Sequence, residues 1–382
     1  MATEIISILK PAKKPAKQYI AGIFDVEDRL NKLTQMGDAL VALNAMIDWE
    51  AFRSDIEVAR KKKEKRKSPA GAKPIDAILM FKILVLQQLN NLSDDRIEFQ
   101  IRDRLSFMRF LDLHIEDRVP DAKTIWLFRE TLKHKGIAKK LFARFEAQLQ
   151  AQGFVAQGGQ MVDATFVEVP KSRNSREDNA TIKAGEIPPS WQGEDAASVH
   201  KRAQKDTDAR WAKKNEEKHF GYKNHINADA KNKIIRDYDV TSASVHDSNV
   251  FDQLLDHSED ENGDKRAAYA DSAYRAKAQE ERLAQANIES HINEKGTRAG
   301  PLNEAQKESN KENSRTRSRV EHIFGAQAQM GGHIVRTIGA QRAFVKITMM
   351  NLVYNMKRFV FLCGQEILKA MKNDRKDAFV VP

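Results

Sequence analysis

The stretch "QMVDATFVEV", residues 160–169, marks the point at which this chain changes from one kind of structure to another. Its residues alternate in polarity, and it is rich in valine, threonine and phenylalanine, which favour β-strands. Gly158 and Gly159 directly precede it, and the pattern before them is helical. The stretch therefore predicts the first strand of a sheet.

Asp163 stands in the middle of this predicted strand. Aspartate is disfavoured in strands, and burial of a carboxylate without a partner is costly. Its face of the strand would include Met161, Thr165 and Val167, so the carboxylate emerges from a largely apolar surface. Folding alone does not call for an acid there, and Asp163 is the first candidate functional residue.

Segments with strand and helix patterns alternate after this point, which predicts a mixed α/β fold with a sheet flanked by helices. The further predicted strands are "FGYKNHINADA" (220–230), "KIIRDYDVTS" (233–242), "RAAYADSAY" (266–274) and "ESHINE" (289–294). A tight turn at Lys231 and Asn232 would join the first two of these. The predicted helices are "SNVFDQLLDH" (248–257), "RAKAQEERLAQAN" (275–287), and one that follows a polar loop at about 295–310 and reaches at least Gln329.

The chain before the first strand, residues 74–152, has a helical pattern throughout. In the segment "AKTIWLFRETLKHK" (122–135), Asp121 would cap the start, and Gly136 would end the helix. Ile125, Phe128 and Leu132 would form its inward stripe. We therefore expect a helical domain in front of the α/β domain.

Trp126, Arg129 and Lys133 fall on a neighbouring, more exposed face of that helix. One aromatic and two cations suit a helix laid on DNA. Long basic side chains that cover apolar surface explain the same residues equally well. Both interpretations stay open at this stage.

The composition divides the chain into four parts. We expect a basic extension and linker at 1–73, containing "RKKKEKRK" (60–67), a helical DNA-binding domain at 74–152, an α/β domain at 153–340 with a polar insertion at about 170–219, and a helical C-terminal segment at 341–382. Trp191 and Trp211 lie in the insertion, where packing is one use for them and stacking on a displaced base is another.

Charge and cysteine content narrow the class of protein. Lysine and arginine exceed aspartate and glutamate by 64 to 54, a net charge of +10 that favours a polyanionic partner such as nucleic acid. The single cysteine, Cys363, excludes an internal disulfide framework and a cysteine-based zinc site. No signal peptide or apolar span stands out, so we expect an intracellular, cytoplasmic protein with no membrane partner.

Carboxylates are the side chains best suited to chemistry here. Asp271 follows the predicted strand "RAAYA", where α/β sheets present ligand-binding groups, although a helix cap is an alternative. Glu321 lies among arginines in "RTRSRVEHIFG" (315–325), where a surface ion pair with Arg317 is the alternative. With Asp163, these acids could hold Mg²⁺, which prefers oxygen ligands. The competing acids, Asp229, Asp237 and Asp239, are expected to be solvated.

The motifs "MVDATFVEVPKSRN", "GYKNHINADAKNKIIRDYDVTSASVHDS", "YADSAYR" and "RSRVEHIFG", with the helical stretch "DRLSFMRFLDLHIEDRVPDAKTIWLFRE", resemble those of bacterial insertion-sequence transposases of the IS-five-like group. The resemblance runs from about residue 75 to 358. It implies a DDE triad on a ribonuclease H-like fold, with Asp163, Asp271 and Glu321 as the three acids. It also implies that 75–150 corresponds to the helical N-terminal domain of that group.

The chain departs from related transposases at two positions. A tyrosine seven residues before the glutamate and a lysine seven after it are frequent in them, and here these positions hold Ser314 and Ala328. The arginine four residues before the glutamate is kept as Arg317. The resemblance therefore implies that Arg317 binds DNA phosphates, with Arg315 or Arg319 as further phosphate-binding residues.

The resemblance implies metal-dependent cleavage at the ends of an insertion element, followed by transfer of the freed 3′-hydroxyls into target DNA. Two Mg²⁺ ions, for which Mn²⁺ could substitute, would be bound by Asp163, Asp271 and Glu321. The expected partners are double-stranded DNA and a second copy of the chain, in the cytoplasm of a bacterium at its nucleoid. The alternatives are a catalytically inactive DNA-binding relative and a nuclease without strand transfer. His246 could contact a phosphate or assist the metal site, and a capping or turn role explains it equally well.

Overall fold

Helices make up the first part of the described chain. The computed structural model describes residues 25–60, 74–134, 136–171, 174–214, 216–257, 266–296 and 300–377. The first helices are α1 (Asp25–Gln35), α2 (Ala39–Met46), α3 (Arg53–Arg60), α4 (Ala77–Leu89), α5 (Asp94–Asp103), α6 (Leu105–Phe110), α7 (Ala122–His134) and α8 (Ile137–Ala151). The prediction of helices across 74–152 is confirmed.

Residues 25–60 differ from the predicted extension, because they fold as helices and pack into the main core. Trp49 and Phe52 are buried, and the ring of Phe52 lies 4.9 Å from that of Phe81 on α4. Apolar residues at helical spacing, rather than the net charge of the segment, decide its structure. Most of the basic run "RKKKEKRK" lies outside the described residues.

Helix α4 is the centre of the helical part. Asp76 begins it by accepting hydrogen bonds from the backbone nitrogens of Ile78 and Leu79. Every residue of the helix except Leu79 and Leu89 is buried, as expected for a sequence that is apolar on all sides. The other helices therefore pack around it.

The second part is a six-stranded mixed sheet. Its strands are β1 (Gln160–Glu168), β2 (Arg210–Lys214), β3 (Glu217–Asp229), β4 (Ile235–Ser242), β5 (Arg266–Ala270) and β6 (Ile288–Ile292). The order is β2-β3-β1-β5-β6, with β4 also paired to β3. β1 is antiparallel to β3 and parallel to β5, so it lies at the centre of the sheet. The fold is the predicted mixed α/β class.

The remaining helices are α9 (Arg176–Lys183), α10 (Ala196–Ala203), α11 (Phe251–Leu254), α12 (Lys277–Gln285), α13 (Glu304–Arg317), α14 (Arg319–Gln329) and α15 (Ala340–Asp377). α13 begins earlier than the sequence predicted, because Asn303 and Gln306 form a capping box. The predicted long helix is also divided, since Ser318 separates α13 from α14.

The helical part and the sheet share one core through α15. Its residue Asn351 exchanges hydrogen bonds with Asn224 of β3 and accepts one from Gln327 of α14. All three amides are buried, and each is satisfied by the other two. This network fixes the position of α14 and α15 on one face of the sheet. Within the described residues, no helix is both long and apolar enough to span a membrane.

Phe52→Ala tests whether the N-terminal helices belong to the folded body. Removal of a fully buried phenylalanine should lower the free energy of unfolding by about 3–5 kcal/mol, measured by urea denaturation. Val58→Ala, at a side chain that is 57% exposed in α3, is the matched control and should change it by less than about 1 kcal/mol. Equal effects of the two substitutions would contradict the packing described here.

Candidate functional site

Asp163 lies at the centre of β1 and is only 8% exposed. Its Oδ1 accepts a hydrogen bond from the backbone nitrogen of Ala164 at 2.8 Å. Its Oδ2 accepts one from Nη1 of Arg317 at 3.1 Å, an ion pair between the central strand and the end of α13. The carboxylate is therefore held in place from both sides.

Asp271 lies beside Asp163. It directly follows β5, and the parallel pairing of Gln160 with Ala268 and of Met161 with Tyr269 brings the ends of the two strands together. Burial raises the pKa of Asp163 to about 6, and the charge of Asp271 adds to this rise, while Arg317 opposes it. Asp271 also caps the 3-10 turn Ser272–Tyr274 by accepting a hydrogen bond from Ala273. The cap and the adjacent acid are thus compatible roles.

The surroundings of Tyr274 indicate a third carboxylate near Asp163 and Asp271. This buried side chain has its pKa raised well above the ordinary value, by burial first and then by the charges of Asp163, Asp247 and Asp271. Asp247 forms an ion pair with Nζ of Lys223 at 2.7 Å. Neither Asp247 nor Tyr274 was predicted from the sequence as a site residue. A lysine among the buried residues of β3 was the available signal, because a buried cation requires an acid.

His246, which precedes Asp247, has the local role. Its Nδ1 accepts a hydrogen bond from the backbone nitrogen of Ser248 and caps the 3-10 turn Asp247–Asn249. The capping alternative is therefore confirmed for this histidine.

The three arginines around the predicted third acid have different surroundings. Arg317 faces Asp163, and its Nε is buried without a hydrogen-bond partner among the described residues. Arg319 donates from Nη1 to the carbonyl oxygen of Ala230 at 2.8 Å. Arg315 is exposed. Only Arg317 is directed at the pair of aspartates.

Ser314, at the position seven residues before Glu321 where a tyrosine is frequent in related transposases, has a structural role. Its hydroxyl accepts a hydrogen bond from Nδ2 of Asn293 at 3.0 Å, one residue after the end of β6. Asn313 on the same helix contacts Nδ1 of His291 at 3.0 Å. These bonds dock α13 on the end of the sheet and so position Arg317. Ala328 lies half-buried on α14.

Glu321 lies in the first turn of α14 and is exposed. The alternative interpretation of Glu321, a surface ion pair with Arg317, does not apply, since Arg317 pairs with Asp163. In the described parts of the chain, no three histidine, cysteine or carboxylate side chains are grouped to hold a metal ion. The structure thus brings together Asp163, Asp271 and Arg317, and it does not bring Glu321 to the same point.

The donor set of this site fits a hard divalent cation. Mg²⁺ is commonly bound through one or two carboxylates, with waters and substrate phosphates completing its ligands. Asp163 and Asp271 supply two such carboxylates, which lie near enough for the charge of one to raise the pKa of the other. Two buried polar atoms at the site, Nε of Arg317 and the hydroxyl of Tyr274, lack partners among the described residues, which is consistent with a polar occupant.

The competing acids are not all solvated as predicted. Asp229 is 1% exposed, pairs with Arg236 at 3.0 Å, and accepts hydrogen bonds from the backbone nitrogens of Asn232 and Ile234. It closes the predicted turn between β3 and β4 and is buried for that reason. Asp237 is partly exposed and pairs with Lys139. Asp239 accepts a hydrogen bond from Gln253.

The insertion has more structure than expected. It contains α9, α10 and the edge strand β2, whereas the sequence predicted an irregular segment. Trp191 is fully buried, so packing is its role here. Trp211 on β2 is 45% exposed and packs against Phe220.

The predicted inward stripe of α7 is confirmed, since Ile125, Phe128 and Leu132 are buried and Asp121 caps the helix. On the neighbouring face, Trp126 is 40% exposed. Arg129 forms a two-pronged ion pair with Asp94, and Lys133 pairs with Glu130. Both cations are therefore partly neutralised by acids of the bundle.

Two protein families match the chain. The first, described as "Transposase DDE domain", matches residues 157–356, which is more than half of the chain. The second, described as a transposase domain, matches residues 28–131. Among solved structures, the chain is similar to that described as "Cryo-EM structure of piggyBac transposase synaptic complex with hairpin DNA". The identity is 12% and the TM-score 0.41, over 86% of this chain and 73% of that chain.

Asp163→Asn should stabilise the metal-free protein. The pKa of Asp163 is raised in the folded state, from its ordinary value of 3.8 to about 6, so folding retains a proton that unfolding releases between these pH values. Stability of the unsubstituted protein relative to the variant should fall as the pH rises from about 4 to 6 and stay lower above it, by up to about 3 kcal/mol. Urea denaturation in EDTA measures this.

The control for this prediction is Asp103→Asn, at an exposed carboxylate at the end of α5. It removes one charge without altering the site. A stability difference between Asp163→Asn and the unsubstituted protein that is constant from pH 4 to 8 would contradict the burial of a charged Asp163.

Proposed function

The chain belongs to the transposase DDE domain family, and from this premise we propose that it cuts DNA at the ends of an insertion element and joins the freed 3′-hydroxyls to target DNA. The observation that carries the proposal is the pair of adjacent carboxylates, Asp163 and Asp271, with the guanidinium of Arg317 directed at one of them. Phosphoryl transfer requires positioning and neutralisation of charge more than covalent catalysis, and this site offers both.

Asp163 and Asp271 would bind a divalent cation, for which we propose Mg²⁺ with Mn²⁺ as a substitute. When bound, such ions activate the attacking oxygen and stabilise the leaving oxygen of an in-line displacement. Arg317 would then release Asp163 and hold a non-bridging oxygen of the phosphate, with its orphaned Nε as a further donor. The hydrogen bonds of Asn313 and Ser314 to the end of the sheet keep that arginine in reach.

Glu321 is proposed as the third acid on the basis of the motif that it shares with insertion-sequence transposases. It lies four residues after Arg317, and Ser318 separates the two helices that carry these residues. Asp247 is the competitor, because it already lies in the electrostatic surroundings of Tyr274 with Asp163 and Asp271. Its ion pair with Lys223 favours a structural role for it.

Double-stranded DNA is the proposed substrate, in the form of element ends and target. A homodimer is the proposed active form, because two ends must be processed together. A nuclease that cuts without joining and an inactive DNA-binding relative are the remaining functions, and the assay below separates all three.

Incubation of the protein with DNA carrying the element ends, a target plasmid and Mg²⁺ should give joined products, detected by sequencing across the new junctions. Cut ends without junctions would indicate a nuclease. Bound but intact DNA would indicate an inactive relative. EDTA should abolish the products, and added Mn²⁺ should restore them.

Asp163→Asn should lower cleavage by at least about a thousandfold, since loss of an essential charge at the reacting phosphate costs about 4 kcal/mol or more. Binding to the element ends should remain measurable by gel shift. Asp103→Asn is the matched control and should cut normally. Normal Mg²⁺-dependent cleavage by Asp163→Asn would overturn the assignment.

Glu321→Gln and Asp247→Asn distinguish the candidates for the third acid. If Glu321 completes the site, Glu321→Gln should lose cleavage to the same degree as Asp163→Asn, because the reaction needs all its carboxylates together. Asp247→Asn should then keep cleavage within about tenfold while lowering stability, since Lys223 loses its partner. The reverse pattern would move the role to Asp247.

A further inference from the structure

A cleft of about 860 Å³ lies between the helical part and the segment that joins α14 to α15. α7 contributes Trp126, Arg129 and Lys133, so the three residues singled out from the sequence line one cavity. The opposite wall contains His333, Ile334, Arg336, Arg342 and Lys346. The cleft is thus built from parts of the chain that are about two hundred residues apart.

The charges in this cleft do not cancel. Its lining includes five lysines and arginines and two carboxylates, Asp94 and Glu130. Arg129 occupies both oxygens of Asp94, at 2.8 and 2.7 Å. Arg342 and Lys133 occupy both oxygens of Glu130. Three of the five cations therefore form ion pairs with the two carboxylates.

Lys346 and Arg336 are the cations left over. Neither forms an ion pair with any residue in the described ranges, and Arg336 is exposed. Burial lowers the pKa of Lys346 to about 8, helped by the neighbouring charge of Arg129, while Asp94 opposes the shift. A cation in this position is stabilised by an anion that enters the cleft.

Backbone hydrogen bonds also connect the lining of the cleft to β1, the strand that carries Asp163. Glu168, the last residue of β1, donates its backbone N–H to the carbonyl oxygen of His333 at 2.8 Å, and its carbonyl oxygen accepts from Val335 at 2.9 Å. Glu168 lies five positions after Asp163 on β1, about 17 Å along the strand at a rise of about 3.3 Å per residue.

The geometry points to this cleft as a second binding site for the DNA backbone, in which Lys346 and Arg336 bind phosphates away from the phosphate that is cut. The inference rests on the proposed function for the nature of its partner. Phosphate contacts of this kind are made mainly by lysine and arginine and fix the position of the duplex without reading its sequence. The exposed indole of Trp126 would lie next to the same DNA strand.

The test uses Lys346→Met with Arg336→Ala in the full chain, on the Asp163→Asn background, with a fluorescein-labelled duplex of arbitrary sequence. Fluorescence anisotropy at several salt concentrations gives the dissociation constant and its salt dependence. The double variant should bind about tenfold or more weaker, and the slope of log K against log salt should fall by about two, one for each lost phosphate contact. Thermal denaturation should show a folded protein, since Lys346→Met removes a partly buried charge.

Lys32→Met is the matched control, because it removes an exposed lysine of α1 outside the cleft. A slope and affinity of the double variant equal to those of Lys32→Met would overturn the inference. Since the binding assay requires no catalysis, the expected fall in slope, combined with failure of the unsubstituted protein to cut DNA in the cleavage assay, would refute the proposed function and leave this site standing.

Discussion

The ion pair between Asp163 and Arg317 joins two parts of the chain that are 154 residues apart, and much of the architecture around the site depends on it. A carboxylate in the central strand of a sheet cannot be left without a counter-charge. The guanidinium that supplies it stands at the last residue of α13. That helix must therefore dock on the end of the sheet, and the polar bonds of Asn313 and Ser314 to the end of β6 achieve this.

The parts of the fold that the sequence predicted are those in which one face of an element is apolar. The alternation around β1 and the inward stripe of α7 are of this kind, and both elements have nearly the predicted bounds. The first part of α13 was predicted as a loop, because the sequence "EAQKESNKENSRTR" has no apolar stripe and the helix is held by polar side chains. β2 was missed for a similar reason, since "RWAKK" pairs only with the beginning of β3 at the edge of the sheet.

The candidate site could be predicted in part, for physical reasons that differ between its acids. Asp163 and Asp271 stand at unusual positions on strands, and strand pairing alone brings them together. Asp229 was misjudged because its buried partner, Arg236, comes from the next strand and a pairing of that kind is not visible in one segment. The place of Glu321 relative to the two aspartates depends on how α13 and α14 are oriented on either side of Ser318. The local sequence does not encode that orientation.

The three amides of Asn224, Gln327 and Asn351 have a consequence for the assembly of the site. Each is buried and satisfied by the other two, so a slide of α14 by one turn, about 5.4 Å, would leave several polar groups without partners. Glu321 lies six residues before Gln327 on the same helix, so this network of amides also holds the backbone of Glu321 in place.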